Sequence, residues 1–247
     1  LPREAVARRR LAEQAAAAAL GGFEFDLLRD LRGHPFREGR LHASAEFRPA
    51  LWRAIRDFEP DYLFCPPLPD DGLAGVHVDH LDVAEAVRGL GYLLNVPHAY
   101  SPEFPLPALP ANPVRTPVIL TVFDGYHPGG AGQDFAVEIS EIADHVADLA
   151  WCHESQLREW LPWVNRHQLT DSPDVHDWRR QFRSVLRRRA SAMGIEHNGI
   201  FEFFRVTAWG AVPTLEQLRK DFPPLSPCLP VDALEQRLNA WNRVAGG

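Results

Sequence analysis

The chain has 247 residues, of which 45% are hydrophobic and 24% are charged, a composition that is ordinary for a globular protein. Its formal net charge of −7 argues against a nucleic-acid-binding surface, and no apolar run approaches the roughly 18 residues that a membrane span needs. The three cysteines (Cys65, Cys152 and Cys228) fit neither a zinc-knuckle nor a disulfide spacing, so we expect a reducing, cytoplasmic location.

The first half of the chain predicts helices that alternate with short strands. In chain order we predict a helix over 3–20, a strand over 23–30, a loop over 31–44, a helix over 45–58, a strand over 61–65 and a helix over 78–89. In the second of these helices, Phe47, Leu51 and Ile55 share one face. In the third, Val83 and Val87 are expected to point inward.

The second half continues the alternation after a proline-rich stretch. We predict an irregular segment over 101–117, strands over 118–123 and 135–139, a long helix over 140–160 capped by Ser140, a loop over 162–177, a helix over 178–193, a strand over 201–209 and two helices after residue 213. This order predicts an α/β protein with a mostly parallel sheet flanked by helices. We expect one domain over 1–247, in which 210–247 forms a C-terminal helical extension.

The most informative motif is His77-Val78-Asp79-His80, which follows the short apolar run 61–65 and opens a helical pattern. Imidazoles three residues apart project from the same side of a helical turn. Such a pair can supply one metal ligand and one catalytic group, with Asp79 as the carboxylate that orients an imidazole. Because ligands gather at the carboxyl ends of strands in open α/β sheets, the motif predicts a hydrolytic metal site.

Other polar residues have simpler interpretations. Asp70 and Asp71 lie among prolines and a glycine, which favours a solvated turn; a position at the rim of the site is the alternative. Arg10 and Glu13 fit a surface ion pair on the first helix. His127 lies in a glycine-rich loop with no phosphate-binding fingerprint.

Two later segments are expected to be structural. His153-Glu154-Ser155-Gln156 suggests packing or an interface, because adjacent residues on a helix do not face each other. The arginine-rich helix over 178–193 suggests a solvated face or an oligomer contact.

Several segments together resemble one known family, and they occur in that family's order. They are Arg10-Leu-Ala-Glu13, Ala16-Ala17, Leu20-Gly21, Asp30, Phe58–Pro66, His77-Val-Asp-His80, Val137–Ser140, His153–Gln156 and, more weakly, Gly199–Phe204. On these segments the chain resembles the PIG-L/LmbE family of zinc-dependent N-acetylglucosaminyl deacetylases. The resemblance is dense to about residue 80 and patchy to about residue 206, and it implies a Rossmann-like, LmbE-like fold.

The family's A-H-P-D-D-E motif does not occur in this sequence. In the family that motif ends the first strand; its His and second Asp ligate zinc, and its first Asp is the general base. We therefore expect that the first strand or strands of the family's sheet precede Leu1. A catalytic zinc usually has three protein ligands, and the resemblance implies only His80 among them here.

The resemblance also implies roles for individual residues. His80 is the implied zinc ligand, His77 the implied donor to the reacting carbonyl oxygen, and Asp79 the residue that fixes the His77 tautomer. Arg10 and Asp30 match positions that contact the sugar. The implied reaction is hydrolysis of an N-acetyl group on an N-acetylglucosamine-type sugar or glycoconjugate, with Zn²⁺ as cofactor, no nucleic-acid or membrane partner, and a possible homo-oligomer.

Two alternatives stay open from the sequence. The first is a non-catalytic relative that binds a glycan or a protein partner because its metal site is incomplete. The second is a metal hydrolase whose ligands come from other residues, such as Asp70, Asp71 or His127.

Overall fold

The structure is a computed structural model that describes residues 2–42, 44–70, 76–100, 115–125, 132–164, 174–196, 198–223, 225–227 and 231–245. The helices in these ranges are α1 (Arg3–Gly21), α2 (Phe47–Phe58), α3 (Val78–Leu93), α4 (Ala143–Trp151), a π-helix (Ser155–Trp160), α5 (Leu161–Val164), α6 (Val175–Ala192), α7 (Leu215–Asp221) and α8 (Val231–Ala245). The strands are β1 (Tyr62–Cys65), β2 (Val118–Val122), β3 (Phe135–Glu138), β4 (Phe201–Val206) and β5 (Leu225–Pro227). Within the described ranges, no helix is long and apolar enough to cross a membrane.

The chain divides into two compact units. The first consists of Leu1–Asp26 and Glu138–Phe201, and the second of Leu27–Val137 and Glu202–Gly247. Each unit is thus built from two separate stretches of the sequence. The single domain predicted from the sequence stays a prediction.

The sheet has the strand order β1-β2-β4-β3-β5. β1 and β2 are parallel, with Cys65 opposite Thr121, whereas β2 with β4 and β3 with β5 are antiparallel. The α/β class is therefore confirmed, but the expectation of a mostly parallel sheet is wrong for these pairs. Alternation of helices and strands along a sequence does not fix strand direction unless each helix crosses back to the same edge of the sheet.

One face of the sheet in the second unit is covered by the last two helices. Val118, Leu120 and Val206 of the sheet pack with Leu218 of α7 and Leu238 of α8, in a buried cluster that also includes Phe135, Leu215 and Leu234. β5 pairs with β3 in the same region. The segment 210–247 therefore contains the two predicted helices but also a strand of the sheet, and it belongs to the core.

The other face is covered by α2 and α3. Successive side chains of β2 point to opposite faces, so Ile119 packs away from Leu120, against Cys65 and Val87. Val83 is partly buried in the same cluster, and Phe47 and Ile55 of α2 are buried, as the sequence predicts. A Cβ added at Gly91 would collide with the backbone carbonyl of Trp209, so glycine lets α3 approach closely there.

The first unit contains α1, α4, the π-helix, α5 and α6. Ala143, Leu186 and Ile200 form a buried cluster in it. Two arginines of α6 pair with aspartates of α4: Arg179 lies 2.5 Å from Asp148, and Arg183 lies 2.6 Å from Asp144. These arginines of the basic helix therefore make contacts within the chain.

Two predicted elements differ from the structure. Residues 23–30 form no strand apart from an isolated bridge between Arg29 and Pro35. The predicted helix over 140–160 begins only at Ala143 and is interrupted at Cys152 and His153. Ser140 does not cap it, because its hydroxyl donates to Glu138 and accepts from the Ile200 amide.

Candidate functional site

The His77-Val78-Asp79-His80 motif forms the start of α3, in the same unit as the parallel strands β1 and β2. Polar residues follow both strands: Asp70 lies beyond the end of β1, and Asp124 comes two residues after β2. Carboxyl ends of adjacent parallel strands lie at one edge of a sheet, and that edge is the usual ligand site of open α/β proteins. Of these two carboxylates, Asp124 contacts the motif, through His80.

His77 is the N-cap residue of α3. Its Nδ1 accepts a hydrogen bond from the backbone amide of Asp79 at 3.2 Å, and its Nε2 lies 3.4 Å from Glu38 Oε1. The Asp79 carboxylate accepts from the Gly39 amide, with both oxygens at 2.9 Å. Asp79 thus orients His77 through its backbone amide, whereas the sequence pointed to its carboxylate.

His80 lies one turn along the same helix. Its Nδ1 is 2.9 Å from Asp124 Oδ2, and its ring centroid is 5.6 Å from that of His77. The Asp124 side chain is only 9% exposed, whereas that of His80 is 43% exposed. The motif is therefore anchored on one side by a buried carboxylate and open on the other.

Asp124 is a residue that the sequence interpretation missed. It lies 44 residues from His80, so no local spacing connects the two. The signal that was available is its position immediately beyond the strongly β-forming run 118–123, where strand ends bring polar groups together.

A complete zinc site is not formed by these residues. In the described part of the chain, no group of three or more His, Cys, Asp or Glu side chains is arranged to hold a metal ion. Cys65 ends β1, and burial raises the pKa of its thiol to about 12. The contact between His80 and Asp124 does not supply the three protein ligands of a catalytic zinc.

The alternative ligands named from the sequence give no support for a different metal site. Asp70 forms an ion pair with Arg205 at 2.9 Å. Asp71 and His127 lie outside the described residues.

Asp30, an expected sugar contact, lies in a tight loop of the second unit. One of its carboxylate oxygens accepts from the amides of Arg32 and His34, at 2.9 and 2.8 Å. The hydrogen bond from the His34 amide, with that from Arg32, lowers the pKa of Asp30. Asp30 is therefore an ionised acceptor whose position is fixed by the loop itself.

Arg10, the other expected sugar contact, lies in the first unit. It lines a cavity of 390 Å³ together with Val6, Arg9, Ser155, Glu159, Trp160 and Trp163. The Arg10 Nε is buried and has no hydrogen-bond partner among the described residues. Trp160 and Trp163 are stacked, with centroids 5.3 Å apart, and both are largely exposed.

Glu13 is buried, and its carboxylate contacts Ser155 and Arg9 of this cavity wall. The predicted surface ion pair between Arg10 and Glu13 is therefore wrong in its exposure and in the partner of Glu13. Ser155 donates its amide and its hydroxyl to the Glu13 carboxylate, at 2.8 and 2.6 Å, and Arg9 lies 3.3 Å away. Burial opposes ionisation of Glu13, but the hydrogen bonds from Ser155 outweigh it and lower the pKa of that carboxyl. The packing role expected for the segment around Ser155 is thus realised through a buried carboxylate.

Comparison with known proteins finds a likeness in fold. No family model matches the chain, and no curated protein sequence matches it. The structure is similar to that of the N,N'-diacetylchitobiose deacetylase from Pyrococcus horikoshii in complex with its inhibitor MPG. The TM-score is 0.56 at 18% sequence identity, over 81% of this chain and 64% of that chain.

This likeness shows a fold shared with a deacetylase. The chain spans 64% of the length of the solved protein that it matches, so the activity and substrate of that protein are not transferred with the fold.

Proposed function

We propose that the chain carries part of the active site of an amide hydrolase that removes the N-acetyl group from an N-acetylglucosamine-type sugar or glycoconjugate. The observation that carries the proposal is the pair of half-exposed imidazoles at the start of α3, of which His80 is anchored by Asp124. Support comes from the deacetylase-like fold and from the family motifs around these residues. A PIG-L/LmbE relationship, Zn²⁺ dependence and a cytoplasmic location belong to the same proposal.

The chemistry follows from the groups at this site. Hydrolysis adds water to the acetamide carbonyl, passes through a tetrahedral oxyanion, and releases acetate and a free amine. A hydrogen-bond donor near the oxyanion lowers the barrier, since charge develops on that oxygen only in the transition state. His77 Nε2 is suited to this role because His77 Nδ1 already accepts from the Asp79 amide. A substrate oxygen would take the place of the Glu38 carboxylate, which lies 3.4 Å from Nε2 and is 85% exposed.

Zinc, when bound by a family member, polarises the carbonyl and lowers the pKa of its bound water. The resemblance implies that His80 would contact such an ion, and in the described ranges no group of three or more His, Cys, Asp or Glu side chains could hold it. The proposal therefore requires ligands beyond the described residues.

The direct test measures free amine and acetate released from N-acetylglucosamine and from N,N'-diacetylchitobiose, with and without added Zn²⁺. We expect release of both products in equal amounts, and a loss of at least about 100-fold in His77→Ala, in line with removal of one oxyanion donor. His176→Ala is the matched control, because His176 is exposed on α6 in the first unit. Equal rates for His77→Ala and the wild type would contradict the proposed role.

A second candidate is a non-catalytic protein that binds a glycan. It is favoured by the lack of a three-ligand metal group in the described ranges and by the cavity beside Arg10. Saturable sugar binding with no amine release at any zinc concentration would support this candidate over the hydrolase.

A further inference from the structure

The two histidines of the motif have opposite hydrogen-bond environments at the same ring atom. His77 Nδ1 faces the backbone amide of Asp79, which can only donate. His80 Nδ1 faces the Asp124 carboxylate, which in its ionised form can only accept. A neutral imidazole carries one proton, so each neighbour decides which nitrogen holds it.

We infer that Asp124 and the Asp79 amide hold His80 and His77 in opposite tautomers, so that Asp124 is a positioning residue for His80. In His77 the proton is on Nε2, which makes that atom a donor. In His80 the proton is on Nδ1, which leaves a lone pair on Nε2. The site therefore presents one donor and one acceptor from rings whose centroids are 5.6 Å apart.

The burial of Asp124 makes this arrangement strong. Its side chain is 9% exposed, so water competes little for the carboxylate and the 2.9 Å contact is worth more than a surface pair. His80 is more exposed, and its backbone amide donates to the His77 carbonyl at 3.0 Å in the first turn of α3. Ring and backbone are thus both fixed, while the Nε2 side stays accessible.

The functional consequence rests on the proposed hydrolase. Hydrolysis of an amide needs a donor for the carbonyl oxygen and a lone pair that accepts a proton or an electrophile. Two histidines in the same tautomer would provide two donors or two acceptors. Opposite tautomers divide these roles between His77 and His80, as a carboxylate partner does for a ligating or basic histidine elsewhere.

The tautomers can be observed directly in long-range ¹H–¹⁵N correlation spectra of uniformly ¹⁵N-labelled protein. The spectra are recorded at a pH where imidazoles are neutral. Signals are assigned by their loss in His77→Gln and His80→Gln. We expect a protonated Nε2 in His77 and a protonated Nδ1 in His80. The same tautomer in both rings of the wild type overturns the inference.

Asp124→Asn is the decisive variant, because an amide of the same shape can donate to Nδ1 and so favour the other tautomer. We expect the His80 signals to change to a protonated Nε2 while those of His77 stay. Asp82→Asn is the matched control. Asp82 lies on the same helix as His80, and its Oδ2 is 3.2 Å from His42 Nδ1, so only the His42 signals should change. An unchanged His80 spectrum in folded Asp124→Asn contradicts the inference.

Activity provides a separate readout. If the hydrolase is active, Asp124→Asn should lower kcat by about 10- to 100-fold with little change in KM, as is typical when such an orienting partner is lost. An inactive wild type would contradict the proposed function alone, because the spectra still decide the tautomers. Full activity of Asp124→Asn with a changed tautomer would show that the division of roles is not used.

Discussion

At the scale of single residues, Arg10 combines an accessible cavity with an unsatisfied polar atom. A buried guanidinium Nε with no hydrogen-bond partner among the described residues is costly, and an acceptor on a ligand would satisfy it. The stacked Trp160 and Trp163 add apolar ring surface to the same cavity. A neutral sugar is complementary to both features of this cavity, because its hydroxyl oxygens can accept from Arg10 and its apolar ring face can pack on the tryptophans.

Arg10→Ala should therefore weaken binding of N-acetylglucosamine. Loss of one hydrogen bond from a charged donor costs about 1.5–3 kcal/mol, or roughly a 10- to 100-fold rise in Kd. Quenching of tryptophan fluorescence would report binding, since two tryptophans line the cavity. Arg8→Ala, an exposed position on the same helix, is the control, and equal affinities for the two variants would contradict the role of Arg10.

The site was predictable from the sequence only where its residues are local. His77 and His80 are three positions apart, and a helix places them together without help from the rest of the fold. The contacts from Asp124 to His80 and from Gly39 to Asp79 span 44 and 40 residues, so they depend on tertiary structure. The residues of the motif were thus identified from the sequence, but the residues that contact them were not.

At the scale of secondary structure, the same distinction between local and tertiary contacts explains which elements were predicted correctly. α1 follows helix propensity, α2 and α3 also have an apolar face, and the observed bounds of all three lie within a few residues of the predicted ones. The alternation over 23–30 instead precedes a turn that Asp30 closes onto His34. The predicted helix after residue 140 is interrupted at Cys152 and His153, just before Ser155, which donates to the buried Glu13 across 142 residues.

The Glu13–Ser155 contact should make stability depend on acid pH. The pKa of Glu13 is lowered in the folded state, so folding favours its ionised form. This contribution is present above the unfolded carboxyl pKa of about 4.3 and is lost as the pH falls through the folded-state value. Glu13→Gln should therefore lower the melting temperature at pH 7 and flatten its decline below about pH 5.

The measurement is a series of thermal melts from pH 3 to pH 8. Glu4→Gln, in the exposed first turn of the same helix, is the control and should keep the wild-type pH profile. An acid decline in Glu13→Gln as steep as in the wild type would show that other carboxylates control it.

At the scale of the whole molecule, a buried carboxylate fixes α8 to the sheet. Asp134 is fully buried just before β3; its Oδ2 accepts from the Val206 amide at 2.7 Å and pairs with Arg237 of α8. Arg237 also lies over the ring of Trp241, 5.0 Å from its centroid. The C-terminal helix is thereby joined to strands from the middle of the chain, and we expect its loss to disturb the sheet on which α3 packs.

Arg237→Ala should destabilise the second unit strongly, because it leaves the Asp134 carboxylate buried without its cation. Breaking a buried pair costs about 3–5 kcal/mol, and the partial exposure of Arg237 places the expected loss near the lower end of that range. Urea unfolding followed by circular dichroism would measure it, with the exposed Arg243→Ala on α8 as the control. The double variant Asp134→Asn with Arg237→Met should recover part of the loss, because no buried charge remains unpaired. If Arg237→Ala and Arg243→Ala unfold at the same urea concentration, the pair does not hold α8 in place.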